Sequence, residues 1–164
     1  DGGEEPSFIA RRLIISAAED IGLANPNAML IAMACAESLD RIGWPEGRIP
    51  LAEATIYLAT SEKSNSAYLA IDSALEYVRQ SGNLPVPLHL RNAPTRLMAD
   101  LDYGKGYKYS HDFPEHFVSQ QYLPDKAADT SFWTPQMHTV HEAKLGERMK
   151  RWWKREKSQK DTAE

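Results

Sequence analysis

The chain has 164 residues, of which 42% are hydrophobic and 26% charged, and its formal net charge at pH 7 is −4. This length and composition are typical of a folded domain with a core and exclude a disordered or collagen-like chain. No apolar run reaches the roughly 18 residues that span a bilayer, so we expect no membrane contact.

Charge is unevenly distributed along the chain. Residues 144–164 hold eight Lys or Arg against four Asp or Glu, a net of +4, whereas residues 1–143 hold eleven against nineteen, a net of −8. An acidic body with a basic end predicts that any contact with a polyanion is local.

The first residues predict a linker that leads directly into a helix. Asp1–Pro6 is acidic and glycine-rich, unlike a signal peptide, and helical spacing begins at Phe8. Because the sequence lacks an initial methionine and enters this helix at once, we expect a piece of a longer protein. The single cysteine, Cys35, is interpreted as a small buried core residue in a reducing compartment.

The next helix is predicted from Asn25-Pro26, where Asn caps and Pro occupies the first helical position, to Ile42 before Gly43. It is apolar around most of its first half, which is typical of a helix buried centrally or against another subunit. Two further helices, Pro50–Ser61 and Asn65–Gln80, are expected to form an antiparallel hairpin. The side chains proposed for an oligomer interface are Met29, Met33, Tyr57 and Tyr68.

After Gly82 the pattern becomes irregular. We expect a brief helix within Pro94–Leu101, a loop over Asp102–Asp125, irregular chain to Gln136, and a last helix over Glu142–Lys157. The predicted fold class is all-α: a compact helical oligomerisation domain with a long irregular loop region and a basic C-terminal helix.

The sequence has no phosphate-binding loop of the form G-x-x-x-x-G-K-[S/T], so we expect this chain to bind no nucleotide tightly and to have no catalytic or cofactor-binding residues. Five histidines are present, but neither a cysteine pair nor an H-E-x-x-H motif accompanies them, so we expect no metal site. His111-Asp112 could orient a general base, which leaves a small hydrolase as an alternative.

Two segments combine aromatic and basic residues and predict a DNA contact. The loop Tyr103–Asp112 interleaves tyrosines with lysines, and the last helix carries a cationic face beside Trp152 and Trp153. A tyrosine-pinned loop and a solvated charged helix face remain the alternatives. The candidate DNA-binding residues are Lys105, Lys108, Arg148, Lys150, Arg151, Lys154, Arg155 and Lys157.

Six stretches in collinear order resemble one family. They are IARRLIISAAEDIGLANPNA (9–28), RIPLAEATIYLAT (48–60), KSNSAYLAID (63–72), PVPLHLRNAPTRLM (85–98), YGKGYKYSHD (103–112) and QQYLPD (120–125). Together they resemble the C-terminal half of the replication-associated recombination protein A family, the MgsA-type AAA+ ATPases related to Werner-helicase-interacting protein.

The resemblance implies properties of a whole protein rather than of this chain alone. Members combine an AAA+ module, which uses ATP and Mg²⁺, with a helical lid and a C-terminal region that assembles tetramers. They act at stalled replication forks, hydrolyse ATP in a DNA-dependent way and interact with single-stranded-DNA-binding protein. The resemblance therefore implies a cytoplasmic, nucleoid-associated protein whose ATPase site lies upstream of residue 1.

Three hypotheses follow: an assembly and DNA-interaction module of a fork-repair ATPase, a protein-docking domain without DNA contact, and a stand-alone hydrolase using His111 and Asp112. The first predicts three regions. Residues 1–22 would be a linker and first helix from an upstream ATPase and lid, residues 23–141 a helical oligomerisation domain, and residues 142–164 a basic helix and tail.

Overall fold

The computed structural model describes residues 2–153, and helices are the only regular secondary structure in that range. The all-α fold class is thereby confirmed. The six α-helices are α1 (Pro6–Ser16), α2 (Asn27–Ile42), α3 (Arg48–Thr60), α4 (Ser66–Ser81), α5 (Arg96–Asp100) and α6 (Val140–Trp153). A π-helical turn, Ala17–Ile21, and a 3₁₀ turn, Gly22–Ala24, continue α1, and short 3₁₀ turns interrupt the long irregular region.

The described chain forms two compact units that interleave in sequence. The first comprises residues 2–74 and 132–147, and the second comprises residues 75–131 and 148–153. Residues 132–147 belong to the first unit although they follow the long irregular segment in the chain. Within residues 2–153, no helix is both long and apolar enough to cross a bilayer.

The core of the first unit lies among α1, α2 and α3, which pack against one another. Small side chains dominate it, so the helix backbones can approach closely, and Leu13 bridges its two clusters. Cys35 is buried there, as interpreted from sequence, and burial, followed by the nearby Glu53, raises the pKa of its thiol. The clusters consist of Ala10, Cys35, Leu39, Leu51 and Ala54, and of Ala17, Ile21, Ala28, Ala32 and Leu58.

Helix starts and stops follow the local signals closely. Asn25 Oδ1 accepts a hydrogen bond from Asn27 N (3.3 Å) at the start of α2, and Gly43, at a φ of 67°, ends this helix. Helix α6 begins at Val140, two residues before the predicted start, and its predicted continuation to Lys157 lies outside the described residues after Trp153.

The expected α3–α4 hairpin is wrong. Helix α3 packs against α1 and α2, whereas Tyr68 and Ile71 on α4 remain exposed. In the connecting turn, Ser64 N donates to the carbonyl oxygen of Asp20 (2.8 Å). That bond joins the turn to the end of the π-turn that continues α1, so the turn contacts the first helical segment as well as α3.

Candidate functional site

The segment that joins α3 to the start of α4, residues 61–66, contacts the two short helical turns that continue α1. Besides the Ser64–Asp20 bond, the carbonyl oxygen of Ser64 lies so close to Gly22 that a Cβ on that glycine would sit 2.7 Å away. Lys63 Nζ donates to the carbonyl oxygen of Leu58 (2.7 Å) and so satisfies one of the last carbonyls of α3. The turn is therefore a rigid element, although its composition is that of a loop.

Residues 133–142 bind the same turn from the other side, and we call this segment the clasp. Trp133 Nε1 donates to Ser66 Oγ (3.0 Å), and Gln136 Nε2 donates to Asn65 Oδ1 (2.6 Å). Nε2 of His138 hydrogen-bonds to the Lys63 carbonyl (3.1 Å). The clasp thus joins positions about seventy residues apart in sequence.

Two more hydrogen bonds connect the start of α6 to this region. Val140 N donates to Glu62 Oε2 (3.3 Å), and His141 Nδ1 hydrogen-bonds to the carbonyl oxygen of Leu23 (2.8 Å). His138 and His141, two of the five histidines, therefore both hydrogen-bond to backbone carbonyls. Within residues 2–153 no three His, Cys, Asp or Glu side chains are grouped as metal ligands would be.

Glu142 is the charged centre of the clasp. Its side chain is fully buried, and Oε1 accepts a hydrogen bond from Gln136 N (3.0 Å). Oε2 is buried without a hydrogen-bond partner among the described residues. Sequence reasoning missed this role, because Glu142 looks like an ordinary acidic residue in the first turn of a charged surface helix.

Opposing effects act on the pKa of Glu142. Burial is the largest single effect and raises the pKa. Four hydrogen-bonding groups lower it, and their combined effect exceeds that of burial, so the net change is downward. These groups are the Ser64 and Ser66 hydroxyls, the Gln136 backbone N–H and the Trp133 indole. The buried carboxylate is therefore held in its ionised form.

A cavity of about 490 Å³ lies beside the clasp in the first unit. On its wall, Asn25 Nδ2 donates to the Tyr57 hydroxyl (3.0 Å) and to Ser61 Oγ (3.3 Å), while Ser61 Oγ donates to the Tyr57 carbonyl (2.8 Å). These hydrogen bonds join residues of the cavity wall to one another, and Ser61 Oγ is bonded to Asn25 and to the Tyr57 carbonyl rather than to a histidine. The lining residues are Ala24, Asn25, Tyr57, Thr60, Ser61, Glu62, Val140, His141 and Lys144.

The residues predicted for an oligomer interface differ in exposure. Met29, Met33 and Tyr68 are exposed, whereas Tyr57 is half-buried against the core and hydrogen-bonded to Asn25. Sequence reasoning missed the more exposed neighbours Leu30, Ile49, Ile56 and Ile71. The seven-residue spacing of Ile49 and Ile56 on α3 was the available signal for one such face.

The candidate DNA-binding lysines of the loop already have partners. Lys105 Nζ lies 2.9 Å from Asp102 Oδ1, and this hydrogen bond and the charge of Asp102 raise the pKa of the lysine. Lys108 Nζ donates to the Ser119 carbonyl (3.4 Å). Both side chains belong to residues that stay exposed, so the contacts hold them in place without burying them.

Of the candidate DNA-binding residues on α6, the structure describes Arg148, Lys150 and Arg151, and all three are exposed. Arg148 lies over the Trp152 ring, 5.8 Å from its centroid, and Arg151 pairs with Glu115 across 3.5 Å. The remaining candidates, Lys154, Arg155 and Lys157, lie outside the described residues.

An aromatic cluster surrounds this end of α6 in the second unit. Phe117 stacks on Trp152 at 5.1 Å between centroids and meets the Trp153 edge at 5.3 Å, while Tyr122 meets Trp153 at 6.4 Å. His111, half of the hydrolase alternative, lies between the rings of Tyr109 and His116. The sequence singled out the tryptophans but not Phe117, which lies 35 residues from Trp152 in sequence.

Residues 1–153 match the protein family described as MgsA AAA+ ATPase C terminal. The chain belongs to this family. The resemblance drawn from the six sequence stretches is therefore confirmed. The chain is the C-terminal part of an AAA+ ATPase related to replication-associated recombination proteins, which favours a non-catalytic region over a hydrolase.

Relatives of the MgsA C-terminal family region occur in bacteria and in a eukaryote. The chain is 45% identical to replication-associated recombination protein A of Coxiella burnetii over 82% of its own length and 31% of that protein. It is 39% identical to the Escherichia coli K12 protein of the same name, over 90% of this chain and 33% of that protein. It is 39% identical to the ATPase WRNIP1 of Dictyostelium discoideum, over 80% of this chain and 15% of that protein. The chain thus spans about a third of the bacterial relatives.

The clasp of this family region should make stability pH-dependent. A carboxylate whose folded pKa lies below its ordinary value of 4.5 stabilises the fold above that value and loses this contribution as pH falls through the folded pKa. Between about pH 5 and pH 3, the urea midpoint of the wild type should therefore fall more than that of Glu142→Gln, which cannot titrate. Equal losses in both proteins would contradict the assignment.

Proposed function

We propose that this chain assembles the AAA+ ATPase of which it is part into a homo-oligomer, with a tetramer as the expected state, and that it contacts DNA through α6. The exposed apolar stripe of α4 carries the first part of the proposal. The relatives named as replication-associated recombination proteins support a role in replication, recombination and repair, and we propose action at stalled forks.

The stripe on α4 consists of Tyr68, Ile71, Leu75 and Val78, which are 43–56% exposed. Their spacing of three and four residues places them along one side of the helix. Large apolar side chains left in contact with water favour burial against a partner, at about 25 cal/mol per Å² of apolar surface removed from water. Closed symmetric association of identical chains is the commonest way in which such surface is covered.

Two further helices of the first unit expose apolar side chains. Leu30 on α2 is 67% exposed and Ile56 on α3 is 65% exposed, and Met33 and Ile49 lie near them along the same helices. A single chain would leave an unusual amount of aliphatic surface in water. A tetramer with perpendicular two-fold axes needs more than one type of contact between its chains. The exposed faces of α2 and α3 could supply a second contact beside the α4 stripe.

Light scattering coupled to size-exclusion chromatography tests assembly. The wild type should elute with about four times its chain mass of 18.5 kDa, and Ile71→Glu should lower that mass because a carboxylate would have to be buried in the interface. Ser73→Glu, exposed on the opposite side of α4, is the matched control and should assemble like the wild type. A monomeric wild type at tens of micromolar contradicts the proposal.

The DNA contact is proposed for the basic end of the chain, because the remainder is net acidic. If about four phosphates are neutralised per subunit, the logarithm of the binding constant should fall with the logarithm of salt at a slope of roughly −3 to −4. Arg148→Glu with Lys150→Glu should remove most binding in fluorescence anisotropy, whereas Lys105→Ala with Lys108→Ala should have a smaller effect. Binding that is insensitive to salt would contradict this assignment.

A protein-docking domain without DNA contact is the second candidate. Lys105 and Arg151 each pair with a carboxylate of the chain itself, which is the observation that favours it. Single-stranded-DNA-binding protein is the partner that we propose for either case. ATP and Mg²⁺ would bind the preceding AAA+ region of the whole protein, and we propose a cytoplasmic, nucleoid-associated location.

A further inference from the structure

The last turn of α6 presents two N–H donors to a single carboxylate oxygen. Arg151 Nη2 lies 3.5 Å from Glu115 Oε2, and Trp152 Nε1 donates to the same oxygen at 3.3 Å. Both donors belong to the second unit, as does Glu115. A guanidinium and an indole N–H that converge on one anionic oxygen form a small anion site, and in this structure a side chain of the chain itself occupies it.

We propose that Glu115 masks a phosphate-binding site formed by Arg151 and Trp152, and that a phosphate group of single-stranded nucleic acid binds there by displacing it. This inference rests on the proposed DNA contact and adds to it an internal competitor. Carboxylate and phosphate oxygens accept hydrogen bonds from Arg in similar geometry, so one can replace the other. The neighbouring Arg148 and Lys150 add positive charge on the same helix.

The geometry allows displacement. The side chains of Arg151 and Glu115 are 66% and 59% exposed, so the pair is screened by solvent and weak. Glu115 and the following His116 also both have left-handed backbones, with φ values of 58° and 53°, which non-glycine residues rarely adopt. Release of the Glu115 carboxylate would remove one of the contacts that hold this turn.

The surroundings of Trp152 specify a phosphate rather than a base as the ligand. Phe117 stacks on the indole with an interplanar angle of 9°, and Arg148 lies over the ring. Phe117 therefore already occupies a stacking position on the indole, and the indole N–H points at the anion site. Binding at this site should therefore be independent of base identity.

The test compares binding of labelled dT and dA oligonucleotides to the full chain by fluorescence anisotropy. Glu115→Gln should bind both about two- to fivefold more tightly than the wild type, the range expected when a weak exposed ion pair no longer competes. The slope of log K against log salt should become steeper by up to about 0.7 in Glu115→Gln. In this variant the phosphate contact at Arg151 releases counterions without first displacing an internal carboxylate. The gain should vanish in an Arg151→Ala background.

Two further variants separate this effect from net charge and from misfolding. Asp129→Asn removes one exposed negative charge from the same unit and should change affinity less than Glu115→Gln. Glu115→Gly removes the carboxylate at a φ that glycine adopts readily and should reproduce the gain. Circular dichroism should show all variants folded.

Outcomes for the two proposals are distinct. If the wild type binds with salt sensitivity but Glu115→Gln gains no more than Asp129→Asn, or gains equally without Arg151, masking is overturned and the DNA contact stands. If neither the wild type nor Glu115→Gln binds at low salt, both are overturned. A gain for one base only would overturn the phosphate assignment.

Discussion

Replacing Glu142 with alanine is expected to lower the free energy of unfolding by about 2–4 kcal/mol. The substitution removes a fully buried carboxylate that accepts from the Gln136 backbone N–H, and it leaves that donor without its acceptor. A buried donor without a partner costs its full desolvation free energy, because water cannot replace the lost acceptor. A cavity at the start of α6 adds to the loss.

Urea denaturation followed by circular dichroism measures this difference. Glu37→Ala is the control, since Glu37 forms an exposed ion pair with Arg41 on α2 and its loss should cost less than about 1 kcal/mol. All proteins should be compared at one concentration, because assembly would couple stability to protein concentration. Similar losses for the two alanine variants would show that the clasp does not depend on Glu142.

Replacing Gly22 with alanine is expected to cost about 2–4 kcal/mol. Two effects add. The backbone at Gly22 has a φ of 47°, which disfavours a Cβ, and that Cβ would lie 2.7 Å from the carbonyl oxygen of Ser64. Relief requires the α3–α4 turn to move, but the Ser64–Asp20 hydrogen bond and the clasp both hold it.

Gly43→Ala separates the two effects. Gly43 also has a positive φ, 67°, but no atom lies within 4 Å of the position that its Cβ would occupy. This variant should therefore show only the conformational cost of its backbone (φ 67°, ψ −162°), about 1–3 kcal/mol and less than the loss for Gly22→Ala. A thermal or urea unfolding series in which both glycine variants lose the same stability would mean that the turn yields easily, contrary to a rigid clasp.

Local signals in the sequence determined most of the helices. Asn25 before Pro26, Gly43 after Ile42, and Gly82 after Ser81 mark ends that the structure retains within one or two residues. These signals are reliable because caps and positive-φ glycines act on the backbone over only a few residues. The six collinear stretches likewise identified the family without structural information.

Sequence patterns failed where a residue's role depends on distant neighbours. Periodicity gave α3 and α4 suitable apolar faces for a hairpin, but α3 uses its apolar face to pack against α1 and α2. Arg151 had the spacing of a DNA-facing residue, yet it pairs with Glu115, which comes from a segment 36 positions away. Helical spacing identifies faces of a helix but not the surfaces that cover them.

The sequence by itself therefore determined the all-α class, the helices and the family, since these depend on local backbone preferences and on residue order. Only the tertiary structure decided that Glu142 is a buried carboxylate, and that Trp133, Gln136 and His138 bind the α3–α4 turn. The physical reason is that burial of a polar group is stable only when partners from several segments converge on it, and that convergence arises in three dimensions.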